Sequence, residues 1–321
     1  MNVDAPEVSV LIRAHSRPRA LAVAIESALA QTHRDLEVVV SDDSGELEPV
    51  AAGFDDPRVR YHANPGPAGP AANLRHAASV ARGRSLAILN DDDRWLPTFL
   101  ATTVEPLRHD AKLGVVFTDE FFELPGRRIP HRRPYAAGRH DRFLPQVLDR
   151  SIPASANLMR RAVWEDGERS TPLRDGMVGD FTAWLRAASA GHAFYYVPEP
   201  LVFTRIHRGQ ISWSEESLPD RIVATLEAFR FDDPMCEELR LARLSEFLFA
   251  RAGVNVRRRA FAAARADVAR ARAVAPRRAG VRALLALSGL RGIGMRWGVG
   301  HPRAIVPVLA VWRRVRPPVV S

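Results

Sequence analysis

The chain has 321 residues, of which 46% are hydrophobic and 26% charged, ordinary globular proportions that exclude wholesale disorder. A single cysteine, Cys236, excludes a self-bridged disulfide scaffold. The net charge of +9 is unevenly placed: residues 251–321 hold sixteen arginines against one acid, Asp267, so the first 250 residues are net acidic.

In chain order, Val8 to Ile12 is a short β-branched run that predicts a strand. Pro18 can start a helix in which Leu21, Ile25, Ala28 and Leu29 recur at helical spacing. Leu36 to Val40 is a second strand and ends at the turn-forming Ser41-Asp42-Asp43-Ser44-Gly45. A third follows near Val59 to Tyr61. Asn64 to Pro70 then breaks regular structure, and a helix over Ala71–Ala81 closes at Gly83. Ser85 to Leu89 runs as a strand straight into Asn90-Asp91-Asp92-Asp93. A helix over Thr98–Arg108 and a strand over Val115–Thr118 continue the alternation. Hairpin-like pieces from Phe121 to Ile129, a helix over Asp180–Ala190 and a strand over Ala193–Val197 extend it. Beyond about residue 216 the pattern is helical: Arg221–Phe231, Glu237–Ala252 and Arg259–Ala273, then a looser apolar stretch.

Alternating strands and helices at this spacing predict an α/β fold with a mostly parallel sheet. Ligands in such sheets bind outside the carboxyl ends of the strands. The loops to examine are therefore Arg13 to Arg17, Asp42-Asp43 and Asn90 to Asp93. Three adjacent aspartates repel one another and are costly to hold ionised without a cation. Mg²⁺ or Mn²⁺ takes one or two carboxylates plus substrate phosphate oxygens. The plainer alternative is a solvated turn in which Asp93 caps the following helix.

These segments resemble family-2, inverting, GT-A-fold glycosyltransferases. SVLIRAHSRP is similar to that family's SVIIPTYNRP, EVVVSDDSGE to EVIVVDDGS, and LAILNDDDRWLP to the DXD-bearing LDDDDRWLP. GPAANLRHAASVARG resembles the small-residue helix before the metal strand. GDFTAWLR and FTRIHRGQIS are two later matches, so the resemblance covers about residues 8–212.

The resemblance implies a GT-A (nucleotide-diphospho-sugar transferase) fold and a metal-dependent inverting glycosyltransferase of hexosyltransferase type. Asp92 would ligate Mn²⁺ or Mg²⁺, with His207 approaching the metal or diphosphate. Asp42 and Asp43 would meet base and ribose; Ala14, His15, Arg17, Asn73, Arg75, Asn90 and Asp91 would complete the nucleotide site. Arg205 and Arg208 would pair with phosphate oxygens. Asp180 would be the catalytic base, needed because a sugar hydroxyl attacks poorly until its proton is taken. On residues alone, Asp180 is equally an N-cap. Asn90 and Gly179 depart from the family's Asp and Glu.

The partners implied are a UDP- or dTDP-linked sugar and a hydroxyl acceptor on a polysaccharide, glycolipid or small metabolite. The catalytic domain would be residues 1–215, and 216–321 an arginine-rich helical appendage. No G-x-G-x-x-G, G-x-x-x-x-G-K-[ST] or G-x-S-x-G supports a dinucleotide, P-loop or nucleophile-elbow enzyme. Phe261, Trp297 and Trp312 are too sparse for nucleic-acid stacking, so no nucleic acid is expected. An anionic membrane surface is the expected counterpart of residues 251–321. Ala304 to Trp312 is about half the length of a spanning helix and is broken by Pro307, and Asp4 and Glu7 stand where a signal peptide would be basic. The expected location is cytoplasmic, peripheral at the inner face of the membrane. The rival expectation is an inactive glycosyltransferase-like binding or scaffold protein that acts through the same tail.

Overall fold

The structure, a computed structural model, describes residues 5–66, 68–150, 152–207 and 217–275. Two compact units emerge: one formed by the chain to Ile206 together with Ala228–Cys236, the other by His207–Glu227 and the chain from Glu237 onward.

The first unit alternates strand and helix as β1 (Val8–Ala14), α1 (Pro18–Leu29), β2 (Leu36–Asp42), α2 (Glu48–Ala52), β3 (Val59–Ala63), α3 (Pro70–Val80) and β4 (Ser85–Asn90). It continues through β5 (Arg94–Trp95), α4 (Phe99–His109), β6 (Leu113–Leu124), β7 (Arg127–His131), β8 (Gly138–His140), α5 (Leu144–Asp149), β9 (Asn157–Arg160), α6 (Arg161–Ser170), α7 (Gly179–Ser189) and β10 (Ala193–Arg205). The sheet runs β3-β2-β1-β4-β9-β6-β10-β5, with β7 on β6 and β8 on β10. β1 is parallel to β2 and β4, β2 to β3, and β6 to β10, whereas β9 is antiparallel to both β4 and β6. This is an α/β fold with a mixed, mostly parallel sheet.

β2 is buried along its whole length, as expected of a strand covered on both faces. That burial includes Glu37, which accepts hydrogen bonds from the Ser9 hydroxyl (2.6 Å), the Arg82 N–H (2.5 Å) and the guanidiniums of Arg60 and Arg82 (2.8 and 2.9 Å). Burial would raise the Glu37 carboxyl, but these donors outweigh it and hold it down at about 2. Gly83 is required beside this network, because a Cβ there would lie 2.5 Å from the Ser9 nitrogen. Leu21, Ala24, Ile25 and Ala28 form the buried stripe of α1, and the Ala-rich face of α3 allows close approach to the sheet.

β6 and β10 are longer than the sequence pattern predicts, because β6 buries two acids, Asp119 and Glu120, whose partners include hydroxyls of β10. Glu120 accepts from the Thr204 hydroxyl (2.5 Å), His131 (3.0 Å) and Arg133 (3.0 Å); Asp119 accepts from the Tyr196 hydroxyl (2.8 Å) and the Arg133 N–H (2.8 Å). Around them Phe117, Tyr135, Phe143, Phe194 and Tyr196 pack ring against ring.

The second unit contains α8 (Leu218–Glu227), all of α9 (Pro234–Arg257) beyond its first turn, and α10 (Phe261–Val274). Asp267 of α10 is buried and receives two hydrogen bonds from Arg251 (2.5 and 3.0 Å) and one from Asn255 (3.0 Å). The Ser245 hydroxyl donates to the Ala271 carbonyl (2.9 Å). Among the described residues no helix is long and apolar enough to cross a membrane. The expected apolar stretch of Ala304 to Trp312 lies outside the described residues.

Candidate active site at the carboxyl ends of the central strands

β1 leads to β2 on one side, and the chain returns through β3 and α3 to β4 on the other. The register aligns Ala14 with Asp42 and Arg13 with Asn90. The strand order therefore reverses at the end of β1, which opens a crevice between the loops that follow β1 and β4. Arg13 to Arg17 and Asn90 to Asp93 meet there.

Asp93 does not cap α4. It is fully enclosed: its Oδ2 accepts from the Ser155 hydroxyl (2.6 Å) and the Asn90 amide (3.0 Å), and its Oδ1 from the Arg205 N–H (3.1 Å). Ser155 Oγ in turn accepts the Asn90 N–H (3.0 Å). Burial and the neighbouring Asp92 charge push the Asp93 carboxyl well above the usual carboxylate range. Its work is to tie the acidic turn to the loop before β9 and to the end of β10.

Asp91 and Asp92 present their carboxylates to one guanidinium: Arg17 Nη1 lies 3.1 Å from Asp91 Oδ1 and 2.5 Å from Asp92 Oδ2. Burial, with Asp92 adding to it, raises Asp91 to about 6 against the pull of Arg17, Arg13 and the His15 N–H. Among the described residues no three acidic, His or Cys side chains form a protein-only metal cage. The donor set still suits a hard divalent cation shared with a diphosphate: two adjacent carboxylates carry more negative charge than one arginine offsets.

Arg13 completes the turn, donating from Nη2 to Asn90 Oδ1 (2.5 Å) and from Nη1 toward the Pro70 carbonyl (3.5 Å). The sequence pattern places Arg13 in the loop after the first strand without a role of its own and gives Ser155 none, whereas the structure extends β1 to Ala14 and puts both on the acidic turn.

On the other side of β1, Asp42 is 1% exposed and its carboxylate is spent locally, accepting from the Ser44 N–H and hydroxyl, the Leu47 N–H and the Tyr61 hydroxyl. Those donors outweigh burial and lower its pKa. Asp43 is only partly buried and receives the Asn64 amide (2.7 Å) and the Gly69 N–H (2.9 Å). Gly69 reaches it at φ 142°, a backbone state open to glycine. Asn73 donates to the Ala14 carbonyl (3.0 Å), while its buried Oδ1 finds no partner among the described residues. His15 is exposed at the mouth of the crevice. Arg75 is turned toward the Leu173 carbonyl (2.5 Å) and Asp175 (3.5 Å).

Asp180 is the second residue of α7, one place inside the helix rather than its cap, and its carboxylate accepts the Phe181 N–H (2.8 Å). The helix start packs on α3: a Cβ on Gly179 would stand 2.9 Å from Leu74 Cδ2. The glycine where the family has Glu thus has a steric cause. His207 follows β10 as the first residue of the second unit. Arg208 lies outside the described residues.

A family model described as Glycosyl transferase family 2 matches residues 9–167. The chain is 36% identical over 128 residues to the succinoglycan biosynthesis protein ExoO of Rhizobium meliloti, covering 39% of this chain and 36% of that one. It is 33% identical over 105 residues to the GalNAc(5)-diNAcBac-PP-undecaprenol beta-1,3-glucosyltransferase of Campylobacter jejuni, covering 31% and 34%. The chain thus spans about a third of the length of these curated relatives. Its fold is similar to S. aureus TarS 1-349 in complex with UDP-GlcNAc, with a TM-score of 0.66 at 15% identity over 98% of this chain and 95% of that one. It is also similar to the mannosyltransferase PcManGT from Pyrobaculum calidifontis in complex with GDP-Man and Mn²⁺, with a TM-score of 0.58 at 16% identity over 97% and 88%. With the strand topology and the acidic turn in agreement, residues 9–167 of the chain form a glycosyltransferase family 2 segment within a GT-A-like fold.

Proposed function

We propose that the chain moves a sugar from a nucleotide-diphosphate donor to an acceptor hydroxyl with inversion at the anomeric carbon. The observation that carries this is the pair Asp91 and Asp92, held at the switch point and sharing the Arg17 guanidinium. The nucleotide would lie along the ends of β1 and β2, past His15, Asp43 and Asn73. Asn73 Oδ1, an unpaired buried acceptor, is available to a donor group of the base or ribose.

Asp92, with Asp91 beside it and His207 as a further ligand, would hold Mn²⁺ or Mg²⁺, and the cation would neutralise charge on the departing diphosphate. Arg17 would then be free to turn to a phosphate oxygen, with Arg205 and Arg208 as further phosphate partners. Asp180, in the first turn of α7, would take the acceptor hydroxyl proton. The acceptor oxygen bonds to the anomeric carbon as the bond to the diphosphate oxygen breaks, releasing the nucleoside diphosphate. The catalytic body would extend to about residue 215, with the helical region from 216 as its appendage.

Two of the similar proteins are complexed with UDP-GlcNAc and GDP-Man, which favours a UDP-, dTDP- or GDP-linked donor. Relatives named for undecaprenol-diphosphate acceptors and for succinoglycan favour a glycolipid or polysaccharide acceptor. Calorimetric titration with UDP, dTDP and GDP, with and without Mn²⁺, tests the donor site. Metal-dependent binding of one nucleotide that is lost in Asp92→Ala is expected. Failure of folded protein to bind any of the three defeats the proposal.

A further inference from the structure

The turn between α9 and α10 has an unusual surface. Val256 is 48% exposed and Phe261 55% exposed, and between them Arg257, Arg258, Arg259 and Ala260 are exposed too. Ala262, Ala263 and Arg265 continue the exposed stretch. Residues 251–275 hold seven arginines and one acid, and that acid, Asp267, is buried against Arg251. An outward-facing aromatic ring and an aliphatic side chain thus flank a run of exposed arginines.

The backbone adds a second observation. The N–H groups of Arg259 and Ala260 return to the carbonyls of Val256 and Asn255, closing α9 with Arg259 at φ 59°. Helices closed in this way favour glycine at that position, because a Cβ is disfavoured in the left-handed region. Here an arginine stands in the strained position, at a cost to the fold that nothing among the described residues of the second unit explains.

We propose that the α9–α10 turn docks on an anionic lipid bilayer, with Phe261 and Val256 entering the headgroup boundary and Arg257, Arg258, Arg259 and Arg265 bound to lipid phosphates. Such a surface accepts both features at once: apolar anchors gain by leaving water, and guanidiniums meet phosphate oxygens within a Debye length of the surface. Nucleic acid offers the phosphates but would need a row of stacking aromatics, and the turn has one. Docking is independent of the transferase proposal, since none of these residues belongs to the nucleotide crevice.

Co-sedimentation of the full chain with vesicles of phosphatidylcholine, and of phosphatidylcholine with phosphatidylglycerol, tests it at low and physiological salt. Binding only to the anionic vesicles, weakening with salt, is expected. Joint Arg257→Gln, Arg258→Gln and Arg259→Gln substitution lowers the partition by about tenfold or more, and Phe261→Ser lowers it by about tenfold. Arg259→Gly separates docking from folding, because it raises Tm while lowering vesicle binding. Wild-type binding by the triple variant and by Phe261→Ser overturns the proposal, as it assigns the effect to the arginines beyond 275. A Phe261→Ser variant that changes the oligomeric mass and not the vesicle partition also overturns it. Nucleotide titration of the same variants is expected to match wild type, so failure of docking and failure of the donor site are read separately.

Discussion

Arg17 Nη1 sits 2.5 Å from Asp92 Oδ2 and 3.1 Å from Asp91 Oδ1, so one guanidinium is shared by two nearly buried carboxylates. A divalent cation at the same carboxylates competes with that contact. Arg17→Ala should therefore lower stability by about 1–3 kcal/mol in metal-free buffer, the usual value of hydrogen bonds to charged groups. Mn²⁺ should then restore more of Tm in the variant than it adds to wild type. Equal Mn²⁺ shifts in the two proteins, measured by scanning calorimetry, would separate Arg17 from the metal site.

Glu37 makes stability acid-sensitive at the opposite end of the strands. Its carboxyl is held at about 2 in the fold against an ordinary value of 4.5, so the native state binds fewer protons than the unfolded chain between those values. The contribution is complete above pH 4.5 and is lost as pH falls toward 2. From the size of the shift it is worth about 3 kcal/mol. Urea unfolding of wild type and Glu37→Gln across this range should show the difference between them shrinking steadily as acid is added. A constant difference would mean that Glu37 is not the titrating group.

Much of the first half of the sheet was legible because its signals are local. Val8 to Ile12, Leu36 to Val40 and Ser85 to Leu89 are unbroken buried strands, and each ends in a polar loop visible in the sequence. β9 was not legible: Asn157–Arg160 is four residues long and finds its place only by pairing antiparallel with β4 and β6. Ser155 carries no local signal and Arg13, although in a strand-end loop, no local sign of its role, since their partners Asp93 and Asn90 lie 62 and 77 residues away. The capping role considered for Asp93 gave way to long-range hydrogen bonds that no local pattern encodes.

Gly179 is explained by packing rather than by loss of chemistry. A Cβ would approach Leu74 Cδ2 to 2.9 Å, and Leu74 is fully buried. Gly179→Ala should cost about 1–3 kcal/mol by overpacking. Combined with Leu74→Ala, it should cost less than the sum of the two single changes, because the truncated leucine makes room for the added methyl. Strict additivity in chemical denaturation would show that α7 and α3 do not meet in this way.

Asp180 and Asp92 are expected to fail differently when altered, and that difference tests the assignment of base and metal ligand. Asp180→Asn keeps the side-chain shape and an oxygen able to accept the Phe181 N–H, so helix α7 should start unchanged. It cannot take a proton, and kcat should fall by about 10²–10⁴ with nucleotide affinity preserved. Asp92→Ala should instead remove the Mn²⁺-dependent part of nucleotide binding, leaving binding measured without metal where it was. Single-turnover rates alongside calorimetric titration of both variants resolve the two effects. If Asp180→Asn loses nucleotide affinity in step with rate, the residue serves the donor site and the base lies elsewhere.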